Sequence, residues 1–162
     1  MTPVPTTRVA IALGSNLGDR RAAIQFAVDQ LTPHLSSLTL SDPIETEPEA
    51  EGLELQPLYL NAVLVGETTL TAPELLAVLL EIERSHGRTR SVRNAPRTLD
   101  LDLILFGQET FAEPDLEVPH PRFRERFFVL GPLAEVAPDM RDPLTGRTVT
   151  QLLRALLRDE SR

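Results

Sequence analysis

The ten residues 97–106, "RTLDLDLILF", constrain the fold of this chain more than any other stretch. Leucine at every second position from 99 to 105 has the period of a β-strand, in which successive side chains point to opposite faces. Leu99, Leu101, Leu103 and Leu105 are therefore expected on one face, and Asp100, Asp102, Ile104 and Phe106 on the other. The leucine face anchors the strand in a core. The other face sets two carboxylates about 6.6–6.8 Å apart at Cα, where two unit charges repel by roughly 2.5 kcal/mol at an effective dielectric near 20. Such a pair calls for a cation, either arginine or a metal ion.

Arginine is at hand. The chain has 162 residues and sixteen basic side chains, none of them lysine. Arg84, Arg88, Arg90, Arg93 and Arg97 run into the acidic strand, and Arg122, Arg124 and Arg126 follow it. Planar guanidinium groups suit bidentate recognition of phosphate, whereas the acidic run from Asp42 to Glu54 reads as solvated surface. A net charge of −8 argues against broad nucleic-acid binding, and no apolar run approaches a membrane span. With 41% hydrophobic residues, no cysteine and no visible signal peptide, a single cytoplasmic domain over 1–162 is expected.

Around this strand the chain reads as alternating elements. Residues 8–13 suggest a strand, "GSNLGD" a turn that caps a helix over 19–33, and "SSLTLSD" a second strand. Residues 43–57 read as a long polar loop, "LYLNAVLVGET" as a buried strand, and "PELLAVLLEIERSHG" as an amphipathic helix that Gly87 ends. Residues 88–98 form a loop, 107–123 a turn, short strand and loop, and two helical patterns follow at 124–138 and 149–159. The order β, α, β, β, α, β predicts an α+β fold with a ferredoxin-like core, a mostly antiparallel sheet flanked by helices. "GSNLG" lacks the G-x-G-x-x-G spacing of a dinucleotide-binding turn.

Two carboxylates separated by one strand residue suit Mg²⁺, which takes one or two carboxylates and completes its octahedron with water and substrate phosphates. The alternative, Asp100 and Asp102 paired only with arginines, stays open. A Walker A loop is excluded because its lysine is absent. Tyr59 and Asn61 share one face of their strand, which fits either a heterocycle site or a core tyrosine; Phe127 and Phe128 carry the same ambiguity. The three histidines lack zinc spacing, and His120 in "VPHPR" stands as a candidate phosphate or ribose contact. A metal-dependent glycosyltransferase and a noncatalytic ferredoxin-like ligand-binding module are the rival readings of these residues.

"GSNLGD", "ETEP", "YLNAV", "IERSHGRTR", "PRTLDLDLILFG", "VPHPR" and "RFFVLGPLAEVAP" occur together and in order over nearly the whole chain. Their combination resembles the 6-hydroxymethyl-7,8-dihydropterin pyrophosphokinases of folate biosynthesis. The resemblance implies an ATP- and Mg²⁺-dependent diphosphokinase that moves pyrophosphate from ATP to the hydroxymethyl group of a reduced pterin and releases AMP. Asp100 and Asp102 match the ligands of two Mg²⁺ ions. Arg88, Arg97 and Arg126 match arginines that contact phosphates or close over the site, and Glu83 and His120 match residues on the nucleotide side. Tyr59 and Phe128 match the aromatic pair around the pterin, with Asn61 on its edge and Thr46 close by. Glu49-Ala50 stand where related sequences often have a bulky apolar residue and glycine, and Asn94 where some members have a tryptophan. Loops 44–57 and 84–98 are expected to act as lids, and the enzyme to work as a monomer on small molecules, without nucleic acid or membrane.

Overall fold

The computed structural model describes residues 4–47, 58–86 and 99–160. Arg88, Arg90, Arg93, Asn94, Arg97, Glu49 and Ala50 lie outside them.

Strand β1 (Thr7–Ser15) leads through the Gly18 turn into helix α1 (Arg20–Leu31), whose N-cap Asp19 accepts the Ala22 N–H at 3.1 Å. Strands β2 (Ser36–Leu40) and β3 (Ile44–Thr46) follow, then β4 (Tyr59–Thr68). Helix α2 (Ala72–Ser85) opens on a complete capping box between Thr71 and Glu74, with Pro73 in its first turn. It buries Leu75, Leu79, Ile82 and Glu83 at helical spacing. Strand β5 (Asp100–Phe106), the hairpin β6 (Phe111–Glu113) and β7 (Leu116–Val118), and helices α3 (Phe127–Val136) and α4 (Val149–Glu160) complete the chain.

The main sheet is antiparallel throughout, in the order β2-β4-β1-β5 with β3 also on β4. Strands β2 and β3 pair successive parts of the same flank of β4, and between them Ser41 bonds Val63 twice. Its N–H donates to the Val63 carbonyl (2.9 Å), and its hydroxyl accepts the Val63 N–H (2.8 Å). The four-strand order and the two connections through α1 and α2 are those of the expected ferredoxin-like core. Leu13, Leu64, Leu101, Leu31 and Leu79 join α1 and α2 to one face of the sheet. On the opposite face Ala10, Val63, Val65 and Ile104 pack against Leu130 and Leu133 of α3 and Val149 of α4. Among the described residues no helix is long and apolar enough to cross a membrane.

Three expectations need correction. Residues 44–46, read as the start of a loop and lid, form β3; a three-residue strand is too short for an alternation signal and exists through its pairing with β4. Residues 107–123 hold a two-stranded hairpin rather than one short strand, and a short 3-10 helix at Phe123–Glu125 precedes α3. The strict alternation assigned to 99–106 also fails at its end. Ala10 pairs with Leu105 but Ile11 with Leu103, so Ile104 is an extra residue in β5. This bulge sends Leu105 to the α3 face and Phe106 to the α1–α2 face, the reverse of simple alternation.

Candidate active site

Register carries the candidate residues into one row. Asp100 pairs with Gly14, Gly14 with Asn61, and Asn61 with Ile44. The next row along the strands is Asp102, Ala12 and Val63. Paired residues share a face, so both carboxylates stand on the side of the sheet that α3 and α4 cover, with Asp100 about 10 Å in Cα terms from Asn61 across two strand spacings and Asp102 one row further along. Helix α3 packs over Ala10, Val63 and Val65, further along the same face. The Asp100–Gly14–Asn61 end lies beyond that apolar contact and holds polar groups.

Small residues floor the site. A Cβ on Gly14 would sit 3.2 Å from Asn61 Oδ1 and 3.7 Å from Tyr59 Cδ1, so glycine lets the amide and the ring lie close over β1. Asn61 is buried, and its Nδ2 donates to Thr46 Oγ1 at 2.6 Å across β3 and β4. With that donor engaged, the amide orientation is set and Oδ1 is its acceptor toward the site. Tyr59 and Phe128 are both half-buried, and Phe128 packs at the border of the α3 core. Arg126 lies with Cζ 5.6 Å from the Phe128 ring centre, a cation–π contact at the start of α3. Phe127 is exposed instead.

The carboxylate strand is the edge of the sheet, and α2 ties it down. Glu83, 2% exposed, accepts the Leu101 N–H at 2.8 Å, between the two aspartates. His120 is half-buried; its N–H donates to the Ile104 carbonyl, and its Nδ1 accepts the Arg122 N–H at 3.3 Å. The neutral ring therefore carries its proton on Nε2. Burial lowers the His120 pKa, and the Arg126 charge lowers it further; Asp100 opposes this and Arg122 adds to it. The lowered pKa favours the neutral imidazole at pH 7.

The structure thus brings Asp100, Asp102, Thr46, Tyr59, Asn61, Phe128, His120 and Arg126 to one side of the sheet. Glu83 supports the carboxylate strand from α2. Arg88 and Arg97 lie outside the described residues. The place of Gly14 was missed in the sequence, where "GSNLGD" reads only as a turn; a glycine in register with an aspartate is visible only once strands are paired. Among the described residues no group of three or more histidine or acidic side chains is arranged to hold a metal. A two-carboxylate donor set of hard oxygens on an edge strand fits Mg²⁺ that shares its remaining ligands with water and phosphate.

Residues 10–138 match the family model for 7,8-dihydro-6-hydroxymethylpterin-pyrophosphokinase (HPPK). A 2-amino-4-hydroxy-6-hydroxymethyldihydropteridine pyrophosphokinase of Pseudomonas aeruginosa is 43% identical over 155 residues, covering 91% of each chain. That of Bacillus subtilis is 43% identical over 143 residues, 87% of this chain and 84% of the relative. Among solved structures, wild-type Plasmodium falciparum HPPK-DHPS superposes with a TM-score of 0.78 at 13% identity, over 97% of this chain and 46% of that one. The chain therefore spans less than half of that longer protein, and this likeness speaks for the fold alone. The family match and the full-length relatives speak for the lineage: this chain belongs to the 7,8-dihydro-6-hydroxymethylpterin-pyrophosphokinase family.

Proposed function

We propose that the protein transfers the pyrophosphoryl group of ATP to the hydroxymethyl oxygen of 6-hydroxymethyl-7,8-dihydropterin, with AMP as leaving group and Mg²⁺ held at Asp100 and Asp102. Family membership supports pyrophosphoryl transfer to the hydroxymethyldihydropterin in folate biosynthesis. The observation that carries the residue assignment is the row Asp100–Gly14–Asn61, which joins a carboxylate pair to an amide and an aromatic ring across a glycine floor.

In this reading Tyr59 and Phe128 stack on the pterin, and Asn61 Oδ1 accepts an N–H from its edge while Thr46 holds the amide in place. The half-exposed carboxylates of Asp100 and Asp102 would hold two Mg²⁺ ions, which would supply charge neutralisation for the phosphate chain. Arg126, with Arg88 and Arg97 from the segment outside the described residues, offsets phosphate charge. His120 Nε2–H donates to a nucleotide oxygen. Glu83 holds the backbone between the two aspartates and, through it, the nucleotide side. Transfer of this kind asks the protein for position and charge compensation rather than covalent work. The β-phosphorus is attacked in line with the oxygen that leaves as AMP. We read the chain as one domain over 1–162, monomeric and cytoplasmic.

Incubation with ATP, Mg²⁺ and 6-hydroxymethyl-7,8-dihydropterin is expected to give AMP and the pterin diphosphate, with no product when Mg²⁺ is chelated. ADP in place of AMP, or no AMP from folded protein, refutes the assignment.

A further inference from the structure

The substrate-edge residues are braced from the other side of the sheet. Arg20, the first residue of α1, donates from Nη1 to the Leu58 carbonyl at 2.9 Å and from Nη2 to Glu45 Oε1 at 3.3 Å. Leu58 directly precedes β4, and Glu45 is the middle residue of β3. The two lie on the separate chain arms on either side of residues 47–57. They also bracket the pair that matters: Thr46 is opposite Tyr59, and Glu45 is opposite Leu60.

Strand β3 has only three paired residues, so few backbone bonds hold it against β4. Yet the Thr46–Asn61 bond, and with it the orientation of the Asn61 amide, depends on β3 staying in register. A guanidinium fork can reach a carbonyl and a carboxylate with separate nitrogens; an ammonium on a flexible stem holds the same two partners less firmly. The Arg20 side chain is 28% exposed, so its bonds are partly shielded from water.

We propose that Arg20 is a positioning residue for the pterin edge. It clamps β3 to the mouth of β4, sets the Thr46–Asn61–Tyr59 geometry, and does so without touching substrate. This inference rests on the pterin reading of the site.

The test uses the full chain with Arg20→Met, Arg20→Lys and Glu45→Gln. Arg20→Met is expected to raise the pterin KM about five-fold, with the ATP KM and kcat changed by less than about two-fold. Arg20→Lys is expected to restore part of the difference, and Glu45→Gln to show a smaller rise because the Leu58 bond survives. Amide hydrogen exchange in β3 and at Tyr59–Asn61, measured without substrates, is expected to quicken in Arg20→Met. An unchanged pterin KM in folded Arg20→Met, or equal rises in both KM values, overturns the proposal. If Arg20→Met does not fold, Glu45→Gln carries the same comparison, and an unchanged pterin KM with unchanged exchange in that variant overturns the clamp. The exchange readout needs no turnover: faster exchange in a protein that makes no AMP supports the clamp and sinks the pterin reading. Unaltered exchange in an active enzyme sinks the clamp alone.

Discussion

Replacing Glu83 with leucine removes the acceptor for the Leu101 N–H, and the structure sets the size of the effect. Strand β5 ends the sheet order, so an N–H pointing away from β1 has no neighbouring strand to receive it. Glu83 reaches it from α2 at 2.8 Å, with Glu83 2% and Leu101 6% exposed, so water is a poor substitute. A buried N–H left without its charged acceptor costs about 2 kcal/mol, which in a chain of this length lowers Tm by about 4–8 °C. Glutamine keeps a carbonyl oxygen at the same reach and is expected to lose about 1 kcal/mol or less. The functional consequence is separate. Leu101 lies between Asp100 and Asp102, so a loosened strand spreads the carboxylates, and the Mg²⁺ concentration for half-maximal rate rises several-fold in Glu83→Leu. Urea denaturation followed by circular dichroism, with initial rates against Mg²⁺, measures both quantities. A leucine variant as stable as the parent with the same Mg²⁺ response refutes the reasoning.

Asp100→Ala and Asp102→Ala are each expected to lower kcat by about three orders of magnitude while the circular dichroism spectrum and Tm stay near the parent's. Near-normal kcat at saturating Mg²⁺ contradicts this. Gly14→Ala sets a methyl group 3.2 Å from Asn61 Oδ1 and is expected to raise the pterin KM about five- to ten-fold, with stability within about 1 kcal/mol of the parent; an unchanged KM removes the glycine floor from the site. Asp142 is fully buried; burial pushes its carboxyl up, but hydrogen bonds from Arg124, Thr145 and the Leu144 N–H, with the Arg124 charge, outweigh this and hold it below the usual carboxylate value. Its folded pKa is thus the lower one, so its contribution is present at neutral pH and lost as pH falls through that value. Asp142→Ala is expected to cost about 3 kcal/mol at pH 7, with the deficit shrinking below about pH 4, as urea titrations at several pH values would show; a deficit independent of pH contradicts the sign.

Much of the candidate site's geometry was legible in the chain because its signals are local. The alternation in "DLDLILF" requires only neighbouring residues to agree on two faces, and it held for Asp100, Leu101, Asp102 and Leu103. Thr71, Glu74 and Pro73 announce the start of α2 through bonds that span three residues. Where the reading failed, the deciding contact lay far along the chain. Leu105 and Phe106 exchanged faces because Ile104 bulges against β1, some ninety residues earlier. Residues 44–46 became a strand only because β4 offered its free flank. The reading of Tyr59 and Phe128 as site or core rested on resemblance rather than on spacing, since a half-buried aromatic has the same local pattern in either role.

By itself the sequence determined the order of elements, the two-faced carboxylate strand, the arginine-only positive charge and the family to which the chain belongs. These follow from periodicity, capping chemistry and residue type, which act over a few positions or are shared with relatives. Tertiary structure alone decided the register that sets Asp100 beside Gly14 and Asn61, the Glu83 bond that secures the edge strand, and the Arg20 brace across residues 45 and 58. Each joins groups distant in sequence, and their pairing is settled only when two cores, one on each face of the sheet, bury their apolar sides at once.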